Sequence, residues 1–157
     1  VKHFDSVREG IMLYGMYPDS EPVETGPLKP VMTLKARVSQ VRNLPKGATV
    51  SYGRTYRAEE GITSAVIPAG YADGYPRRLS NMGKVFINGK AYNQIGRICM
   101  DVCMADVTGG DVRQGDEAIL FGRGGMSIED VAQIVGTINY ELTCLVTERA
   151  NRVYVNN

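Results

Sequence analysis

The sequence predicts a mainly β domain, an antiparallel β-barrel or sandwich-like sheet with two short helices. Three features lead to this prediction: a strict two-residue alternation after residue 31, an Asn-Gly dipeptide between two apolar runs, and turn signals at regular spacing along 157 residues. Apolar and polar residues that alternate with a period of two are typical of a strand with one buried face and one solvent-exposed face. Six to eight short strands at this length favour a closed or nearly closed sheet.

Composition and charge exclude several function classes. Lys and Arg total 18 against 17 Asp and Glu, which is not the positive excess that binds nucleic acid or an anionic membrane. No apolar run approaches the roughly 18 residues of a membrane span. Residues 1–20 carry five charged side chains, which is unlike a secretory signal peptide.

The three cysteines, Cys99, Cys103 and Cys144, cannot all pair within one chain, and their spacing is not that of metal ligands. Because His3 is the single histidine, we expect no metal site. Reduced cysteines are typical of cytoplasmic proteins, so the cytoplasm is the expected location.

Residues 4–15 read FDSVREGIMLYG and hold an apolar cluster bounded by Gly10 and Gly15. This pattern predicts a short buried strand. Residues 16–30 are rich in Pro, Gly, Ser and acids, and their four prolines exclude a helix. We expect a connector there.

The first strand of the β domain is predicted where apolar side chains occupy every second position, from residue 32 to 38. The LPKG sequence at residues 44–47 predicts a turn. Two further strands are predicted over residues 48–52 and 62–71, on either side of a polar stretch.

The strongest local signal is Asn88-Gly89 within KVFINGKAY, residues 84–92. Both residues tolerate positive φ, as a two-residue type I′ hairpin turn requires. We therefore expect a β-hairpin there, and residues 115–122 predict one more short strand after a turn.

Residues 94–107 are mostly apolar and predict a buried strand, although Arg97, Asp101 and Asp106 interrupt the run. An isolated charge in a buried strand is strongly destabilising unless it is paired. We expect these side chains either to form a structural ion pair or to lie at a functional site.

Two short helices are predicted near the carboxyl end. SIEDVAQIVG places Ser127 as the N-cap, Asp130 at the third helical position and Gly136 as the C-terminal stop. A second helix can follow Asn139, and residues 152–155 can close the chain as a strand.

Four tyrosines, Tyr52, Tyr56, Tyr71 and Tyr75, lie near two glycine-containing bends in residues 50–78. Glycine among strands marks a bulge or a close approach of another backbone, so SYG and GYADG predict bends that present side chains. The alternative is that these tyrosines simply pack in the core.

A tyrosine is a poor base at neutral pH because its reference pKa is about 10. Lowering that pKa by roughly three units needs about 4 kcal/mol of differential stabilisation, which one or two guanidinium groups in a partly buried cleft can supply. Five arginines are candidates for this role: Arg54, Arg57, Arg77, Arg78 and Arg97.

Six motifs follow one another along nearly the whole chain: FDSVREGIMLYG, LKPVMTLKARV, SYGRTY, GYADGYPRRLSN, INGKAYNQIGRICMD and GTINYE. Together they resemble the carboxyl-terminal part of bacterial alanine racemases. The resemblance implies a dimeric pyridoxal-phosphate enzyme with an amino-terminal α/β barrel and a carboxyl-terminal β domain. It makes residues 1–15 a remnant of the final barrel strand, residues 16–30 a connector and residues 31–157 the β domain.

The resemblance also implies roles for single residues. Tyr52 matches the catalytic tyrosine, the base that takes the Cα proton from the L-enantiomer in the active site of the other subunit. Arg8 matches the arginine that faces the pyridine nitrogen of the cofactor, and the amides of Gly10 and Ile11 match donors to its phosphate. Tyr140 matches a tyrosine that contacts the phosphate and narrows the substrate pocket.

The substrate side of the site is implied in the same way. Met100 matches a residue whose backbone amide contacts the substrate carboxylate. Tyr71, Arg77, Arg97 and Ile138 match positions that line the substrate access channel.

The resemblance further implies a Schiff-base lysine near the start of the barrel, the base for the D-enantiomer, and no lysine of these 157 residues lies in its motif. We therefore expect the chain to be an excised domain that is inactive by itself. The expected reaction of the intact homodimer is interconversion of L- and D-alanine by a two-base mechanism, with D-alanine for peptidoglycan as the product.

Two alternatives stay open. A serine or broad-specificity amino-acid racemase of the same family would need a roomier pocket than Tyr140 leaves. A non-catalytic β-barrel binding or dimerisation module would leave Tyr52, Arg97 and Met100 pointing to unrelated places.

Overall fold

The computed structural model describes residues 5–18 and 26–155; the rest of the predicted barrel remnant, connector and β domain lies outside the described residues. Within these ranges there are nine strands and two α-helices. The strands are β1 Leu34–Arg37, β2 Gln40–Leu44, β3 Thr49–Val50, β4 Tyr56–Arg57, β5 Ile62–Ile67, β6 Lys84–Ile87, β7 Lys90–Ile95, β8 Cys103–Asp106 and β9 Glu117–Phe121. The helices are α1 Ile128–Val135 and α2 Asn139–Leu145.

Seven strands form one antiparallel sheet in the order β1-β9-β6-β7-β8-β5-β2, and β3 pairs with β4 in a separate ribbon. The edge strands β1 and β2 are consecutive in the chain, with only Val38 and Ser39 between them. The N–H of Val38 donates to the carbonyl of Asp116, and the N–H of Ser39 donates to the carbonyl of Val66, both at 2.9 Å. Because both edges meet at this link, the sheet curls nearly into a barrel, which confirms the predicted fold class.

One hydrophobic core joins the sheet to both helices. Ile67, Val85 and Leu120 come from three different strands and are fully buried, as is Val131 of α1; Leu142 of α2 is almost fully buried. Burying an aliphatic side chain of this size contributes about 1.5–3 kcal/mol. The helices are therefore fastened to the sheet chiefly by their apolar faces.

The predicted hairpin is confirmed. Asn88 and Gly89 have φ of 52° and 74°, and they connect β6 with β7. Two consecutive positive φ values define the type I′ geometry, whose twist matches that of the flanking strands.

Both predicted helices are also confirmed. The side chain of Ser127 accepts a hydrogen bond from the N–H of Asp130 at 3.0 Å, and Gly136 ends α1 in the left-handed conformation. α2 begins at Asn139 as expected. In the described ranges no helix has the length and hydropathy to cross a bilayer.

The prediction of a strand over residues 4–15 is wrong within residues 5–15, the part that the structure describes. A 3-10 helix, Gly10–Tyr14, takes its place, and Leu13 is 66% exposed. Gly10 and Gly15 both have positive φ. These two conformations turn the backbone at each end of the apolar cluster, which an extended strand does not allow.

Three strand predictions need further correction. The strands predicted for residues 48–52 and 62–71 end earlier, at Val50 and Ile67, because the backbone bends into 3-10 helices soon afterwards. Residues 152–155 form no strand, and their side chains are exposed. A strand needs a neighbour for its N–H and C=O groups, and this tail pairs with none of the nine strands above.

Candidate active site

Tyr52 lies on a sharp bend between β3 and β4, which we call the tyrosine bend (residues 51–55). A short 3-10 helix forms it, and Ser51, Gly53 and Arg54 have φ of 65°, 70° and 49°. Positive φ is unfavourable for Ser and Arg, so the surrounding contacts must hold this backbone in place. The bend leaves the Tyr52 side chain 76% exposed, as predicted for a bend that presents a side chain.

The other tyrosines of this stretch differ in their surroundings. Tyr75 is fully buried, and its hydroxyl has no hydrogen-bond partner among the residues described. Burial raises the pKa of Tyr75 far above its ordinary value. The pKa of Tyr56 is also raised, mainly by burial and to a smaller extent by the negative charge of the nearby Asp106 carboxylate. A raised pKa disfavours the phenolate, so neither is suited to act as a base. Tyr71 is exposed, like Tyr52.

The strand predicted for residues 94–107 is interrupted by a loop, residues 96–102, between β7 and β8. Gly96, the first residue after β7, has a φ of 72°. Ile98 is buried even though it lies in the loop, so the apolar run reflects burial without strand pairing. We call this segment the 96–102 loop; it carries Arg97 and Met100.

Asp101 forms the structural ion pair that was one of its two expected roles. Its carboxylate accepts a hydrogen bond from Nη2 of Arg149 at 2.6 Å, and Nε of Arg149 lies 3.3 Å from the carboxylate of Asp73. The hydrogen bond to Asp101 raises the pKa of Arg149, and the negative charge of Asp73 raises it by a smaller amount. This bridge links the 96–102 loop to the turn that carries Tyr71.

Arg97 packs its guanidinium against the tyrosine bend. A Cβ built on Gly53 would lie 3.2 Å from Nε of Arg97, so the close approach depends on glycine. No carboxylate in the described part of the chain pairs with Arg97. Arg57, another candidate cation, lies instead beside Gly47 at the start of the β3-β4 ribbon. Arg97 therefore lies against the bend, to which Arg54 also belongs.

The turn that carries Tyr71 is fastened to the 96–102 loop by backbone hydrogen bonds. The N–H of Tyr71 donates to the carbonyl of Cys99 at 3.1 Å, and the N–H of Ala72 donates to the carbonyl of Met100 at 3.0 Å. A Cβ on Gly70 would lie 2.2 Å from the carbonyl oxygen of Cys99, so this approach also requires glycine. The N–H of Met100 itself donates to no acceptor within the described ranges.

Arg77 is linked to the same loop through Ser80. Its carbonyl accepts the N–H of Ser80 at 3.2 Å, and Oγ of Ser80 accepts the N–H of Ile98 at 3.0 Å. Five predicted residues thus lie on segments that contact one another, and we call them the tyrosine-side group: Tyr52, Tyr71, Arg77, Arg97 and Met100.

The remaining predicted residues form a second group, which we call the glycine-side group: Arg8, Gly10, Ile11, Ile138 and Tyr140. A Cβ built on Gly10 would lie 3.9 Å from the hydroxyl of Tyr140 and would meet nothing nearer. Ile11 is buried, whereas Tyr140 is exposed. Amides at the start of a 3-10 helix have no intrahelical acceptor, which leaves them free for an anion.

Asn139 holds Tyr140 beside this 3-10 helix. Its Nδ2 donates to the carbonyl of Tyr17 at 2.7 Å and to Oε1 of Glu129 at 3.3 Å. The same Glu129 oxygen accepts the N–H of Tyr17 at 3.3 Å. These bonds tie the start of α2 to the chain segment that follows Gly10–Tyr14.

The two groups are distinguished by the segments that carry them. Across residues 5–18 and 26–155, no hydrogen bond or ion pair connects the tyrosine-side group with the glycine-side group. The same ranges hold no cluster of His, Cys, Asp and Glu side chains suited to a metal ion.

Sequence reasoning missed the side chains that hold the 96–102 loop: Ser51, Ser80, Asn81 and Gln94. For Gln94, the sequence pattern indicates a buried polar side chain. Gln94 occupies a buried position in β7, two residues after the buried Tyr92 and on the same face of the strand. A polar side chain at an inward strand position needs partners, and such a pattern could have identified it.

Comparison with known sequences supports the resemblance. The sequence model for "Alanine racemase, C-terminal domain" matches residues 31–154. The alanine racemase of Carboxydothermus hydrogenoformans is 51% identical over 158 residues, which cover 98% of this chain and 43% of that protein. The chain spans about two fifths of the length of the curated relatives it matches.

Solved structures agree with the sequence comparison. The alanine racemase from Streptomyces coelicolor A3(2) is 44% identical with a TM-score of 0.90, and the match covers 99% of this chain and 42% of that chain. The alanine racemase from Bartonella henselae, solved with covalently bound pyridoxal phosphate, is 36% identical with a TM-score of 0.85, covering 93% of this chain and 40% of that one. This chain therefore belongs to the alanine racemase family and matches its carboxyl-terminal domain.

Proposed function

We propose that this chain is the carboxyl-terminal part of an enzyme that interconverts L- and D-alanine, and that Tyr52 removes the Cα proton of the L-enantiomer. The observation that carries the proposal is the presentation of Tyr52, 76% exposed on a bend against which Arg97 packs. A base must reach the proton that it removes, and an exposed phenol on a fixed bend can reach a substrate bound by another subunit.

The glycine-side group suits pyridoxal phosphate as the cofactor. The N–H groups of Gly10 and Ile11 and the hydroxyl of Tyr140 are donors around a space that the missing Cβ of Gly10 leaves open, and a phosphate accepts such donors. Arg8 would face the pyridine nitrogen. When bound, the cofactor withdraws electrons from the substrate and so makes its Cα–H more acidic.

Each active site, in this proposal, combines the tyrosine-side group of one subunit with the glycine-side group of another. No hydrogen bond or ion pair joins the named residues of the two groups in the described part of the chain, and a homodimer can bring the two groups face to face. A second base, the lysine that the family resemblance implies in the barrel, would act on the opposite face of the substrate. The division into barrel remnant (1–15), connector (16–30) and β domain (31–157) is part of the same proposal.

The substrate would be held and admitted by the remaining residues. The N–H of Met100, which has no acceptor in the described part of the chain, is a free donor for the substrate carboxylate. Tyr71, Arg77, Arg97 and Ile138 would line the access channel. Because Ile138 belongs to the glycine-side group, both subunits would be needed to complete that channel.

Tyr140 supports alanine over serine as the substrate. Its hydroxyl lies near Gly10. In this proposal the Tyr140 side chain narrows the substrate pocket, which would leave little room for an added hydroxyl. A kcat/KM for L-serine as high as that for L-alanine would instead support a broad-specificity racemase. The cytoplasmic location, expected from three free cysteines, and the supply of D-alanine to peptidoglycan stay predictions.

Tyr52→Phe in the intact enzyme tests the central claim. The variant keeps the ring and loses only the hydroxyl, so loss of the Cα proton of L-alanine into deuterium oxide should slow by about 100-fold or more. Tyr154→Phe is the matched control, since Tyr154 is an exposed tyrosine outside both groups, and it should retain exchange within a few-fold. Undiminished exchange in Tyr52→Phe would overturn the proposal.

The role given to the lysine has its own test. The 157 residues alone, mixed with pyridoxal phosphate and L-alanine, should produce no D-alanine. Sustained turnover would contradict the two-base assignment.

A further inference from the structure

Side chains, more than backbone, hold the first half of the 96–102 loop. The N–H of Gly96 donates to Oδ1 of Asn81 at 2.6 Å, and the carbonyl of Gly96 accepts from Nε2 of Gln94 at 2.9 Å. The carbonyl of Arg97 accepts from Oγ of Ser51 at 2.7 Å. The conformation of this loop therefore depends on a few polar side chains from other segments.

Gln94 is the buried centre of this arrangement, with an exposure of 2%. Its Nε2 donates to the carbonyls of Ile95, at 3.0 Å, and Gly96, while its Oε1 accepts the N–H of Asn81 at 2.6 Å. Both amide hydrogens and the carbonyl oxygen are thus used. A buried amide with all its groups paired has one stable orientation, so it fixes the backbone of Asn81 relative to the loop.

Asn81 connects the loop to the tyrosine bend. While its Oδ1 accepts from Gly96, its Nδ2 donates to Oγ1 of Thr55 at 3.1 Å, and Thr55 ends the 3-10 helix that begins at Tyr52. Asn81 has a φ of 62°. Asparagine tolerates this left-handed conformation and supplies both an acceptor and a donor, which glycine cannot do.

We propose that Asn81 is a positioning residue for Tyr52, and that Gln94 fixes Asn81 in turn. The inference rests on the proposed function of Tyr52 as a proton-exchanging base. Two non-glycine residues of the bend, Ser51 and Arg54, have positive φ, so the bend keeps its shape only while outside contacts hold it. Loss of the Asn81 bridge would let the phenol move relative to Arg97, and proton transfer is sensitive to displacements of this kind.

Asn81→Gly in the intact enzyme tests this inference, because glycine accepts the φ of 62° and removes only the side-chain bridge. The value of kcat/KM for racemisation should fall by about 10- to 100-fold. The primary deuterium isotope effect with Cα-deuterated L-alanine should rise, since the Tyr52 step becomes more rate-limiting. The effect with Cα-deuterated D-alanine should fall. A change in stability alone would not move the two isotope effects in opposite directions.

Three further variants complete the test. Thr55→Val breaks only the Asn81–Thr55 hydrogen bond in a near-isosteric way, and it should show the same asymmetry to a smaller degree. Asn81→Asp keeps an acceptor for Gly96 and tolerates positive φ, and its second carboxylate oxygen can accept a hydrogen bond from the Thr55 hydroxyl in place of the lost N–H donor. It should therefore restore most of the activity that glycine loses. Asn88→Gly is the matched control, an asparagine at φ 52° in the β6-β7 hairpin, and it should leave both isotope effects unchanged.

The outcomes separate this inference from the proposed function. Suppose that Tyr52→Phe abolishes exchange, but that Asn81→Gly either racemises alanine as fast as wild type or changes both isotope effects in the same direction. The positioning role is then wrong, while the proposed function stands. If Tyr52→Phe exchanges normally, the proposed function is wrong and the positioning role is overturned with it.

Discussion

Arg97 lies so close to Gly53, the residue after Tyr52, that a Cβ on Gly53 would come within 3.2 Å of its Nε. Gly53 also has a φ of 70°. One glycine therefore meets two requirements, a left-handed backbone and room for a guanidinium. This contact brings a cation to the bend that carries the exposed tyrosine, although 44 positions separate Gly53 and Arg97 in the sequence.

Gly53→Ala should impair racemisation by about 10- to 100-fold in the intact enzyme, because the new methyl group would lie 3.2 Å from Nε of Arg97 and shift the guanidinium relative to the bend. Stability should fall by about 1–2 kcal/mol from the positive φ. Gly89→Ala is the control: Gly89 has a φ of 74° and open space around it, so the variant has the same backbone strain and should keep its activity. Steady-state kinetics and thermal unfolding measure the two effects, and equal activity in both variants would contradict the role of the contact.

Tyr75→Phe should stabilise the protein or leave its stability unchanged, with a gain of up to about 1 kcal/mol in the free energy of unfolding. The reason is that the buried hydroxyl of Tyr75 has no partner in the described part of the chain, and an unpaired buried polar group is unfavourable. Urea unfolding measures the difference. Tyr75→Leu, which shrinks the side chain, should instead destabilise by about 1–3 kcal/mol. A clear loss of stability in Tyr75→Phe would mean that the hydroxyl has a partner.

Asp116 should make stability depend on pH in acid. Its carboxylate accepts hydrogen bonds from the N–H of Arg113 and from Nδ2 of Asn88, both at 2.9 Å, and these lower the pKa of Asp116 below its ordinary 3.8. Because the pKa is lower in the folded state, the contribution is fully present above about pH 4 and is lost as the pH falls through the folded pKa.

Comparing wild type with Asp116→Asn by urea unfolding between pH 7 and pH 2 checks this expectation. Wild type should be the more stable at neutral pH, and the difference should vanish in acid. Asn88→Gly, which keeps the turn and removes one donor, should reduce the difference. A gap between wild type and Asp116→Asn that is constant with pH would show that the lowered pKa contributes nothing.

Ser127→Ala should lower the free energy of unfolding by about 1 kcal/mol, because the N–H of Asp130 loses its acceptor, the side-chain oxygen that caps α1. Thermal unfolding measures the change. Ser127→Asp retains an oxygen acceptor and places a negative charge at the helix start, so it should unfold near the wild-type temperature. The same loss in both variants would argue that the cap does not contribute.

Local signals in the sequence were sufficient for several elements. Asn88-Gly89 predicted the hairpin because positive φ is a property of the two residues themselves, and Ser127 and Gly136 predicted the ends of α1 because capping acts within one turn. Alternating hydrophobicity predicted β1 for the same local reason. The six motifs were sufficient to identify the family. The site residues that the resemblance implies stay predictions.

Tertiary structure alone decided the shape of the site. Hydrophobicity reports burial and not strand pairing, so the apolar run at residues 94–107 could not reveal that Ile98 is buried in a loop. That loop is held by Asn81 and Ser80, whose side chains replace the strand ladder, and no periodic pattern encodes such partners. The contact of Arg97 with the tyrosine bend likewise exists only because the curled sheet brings distant segments together.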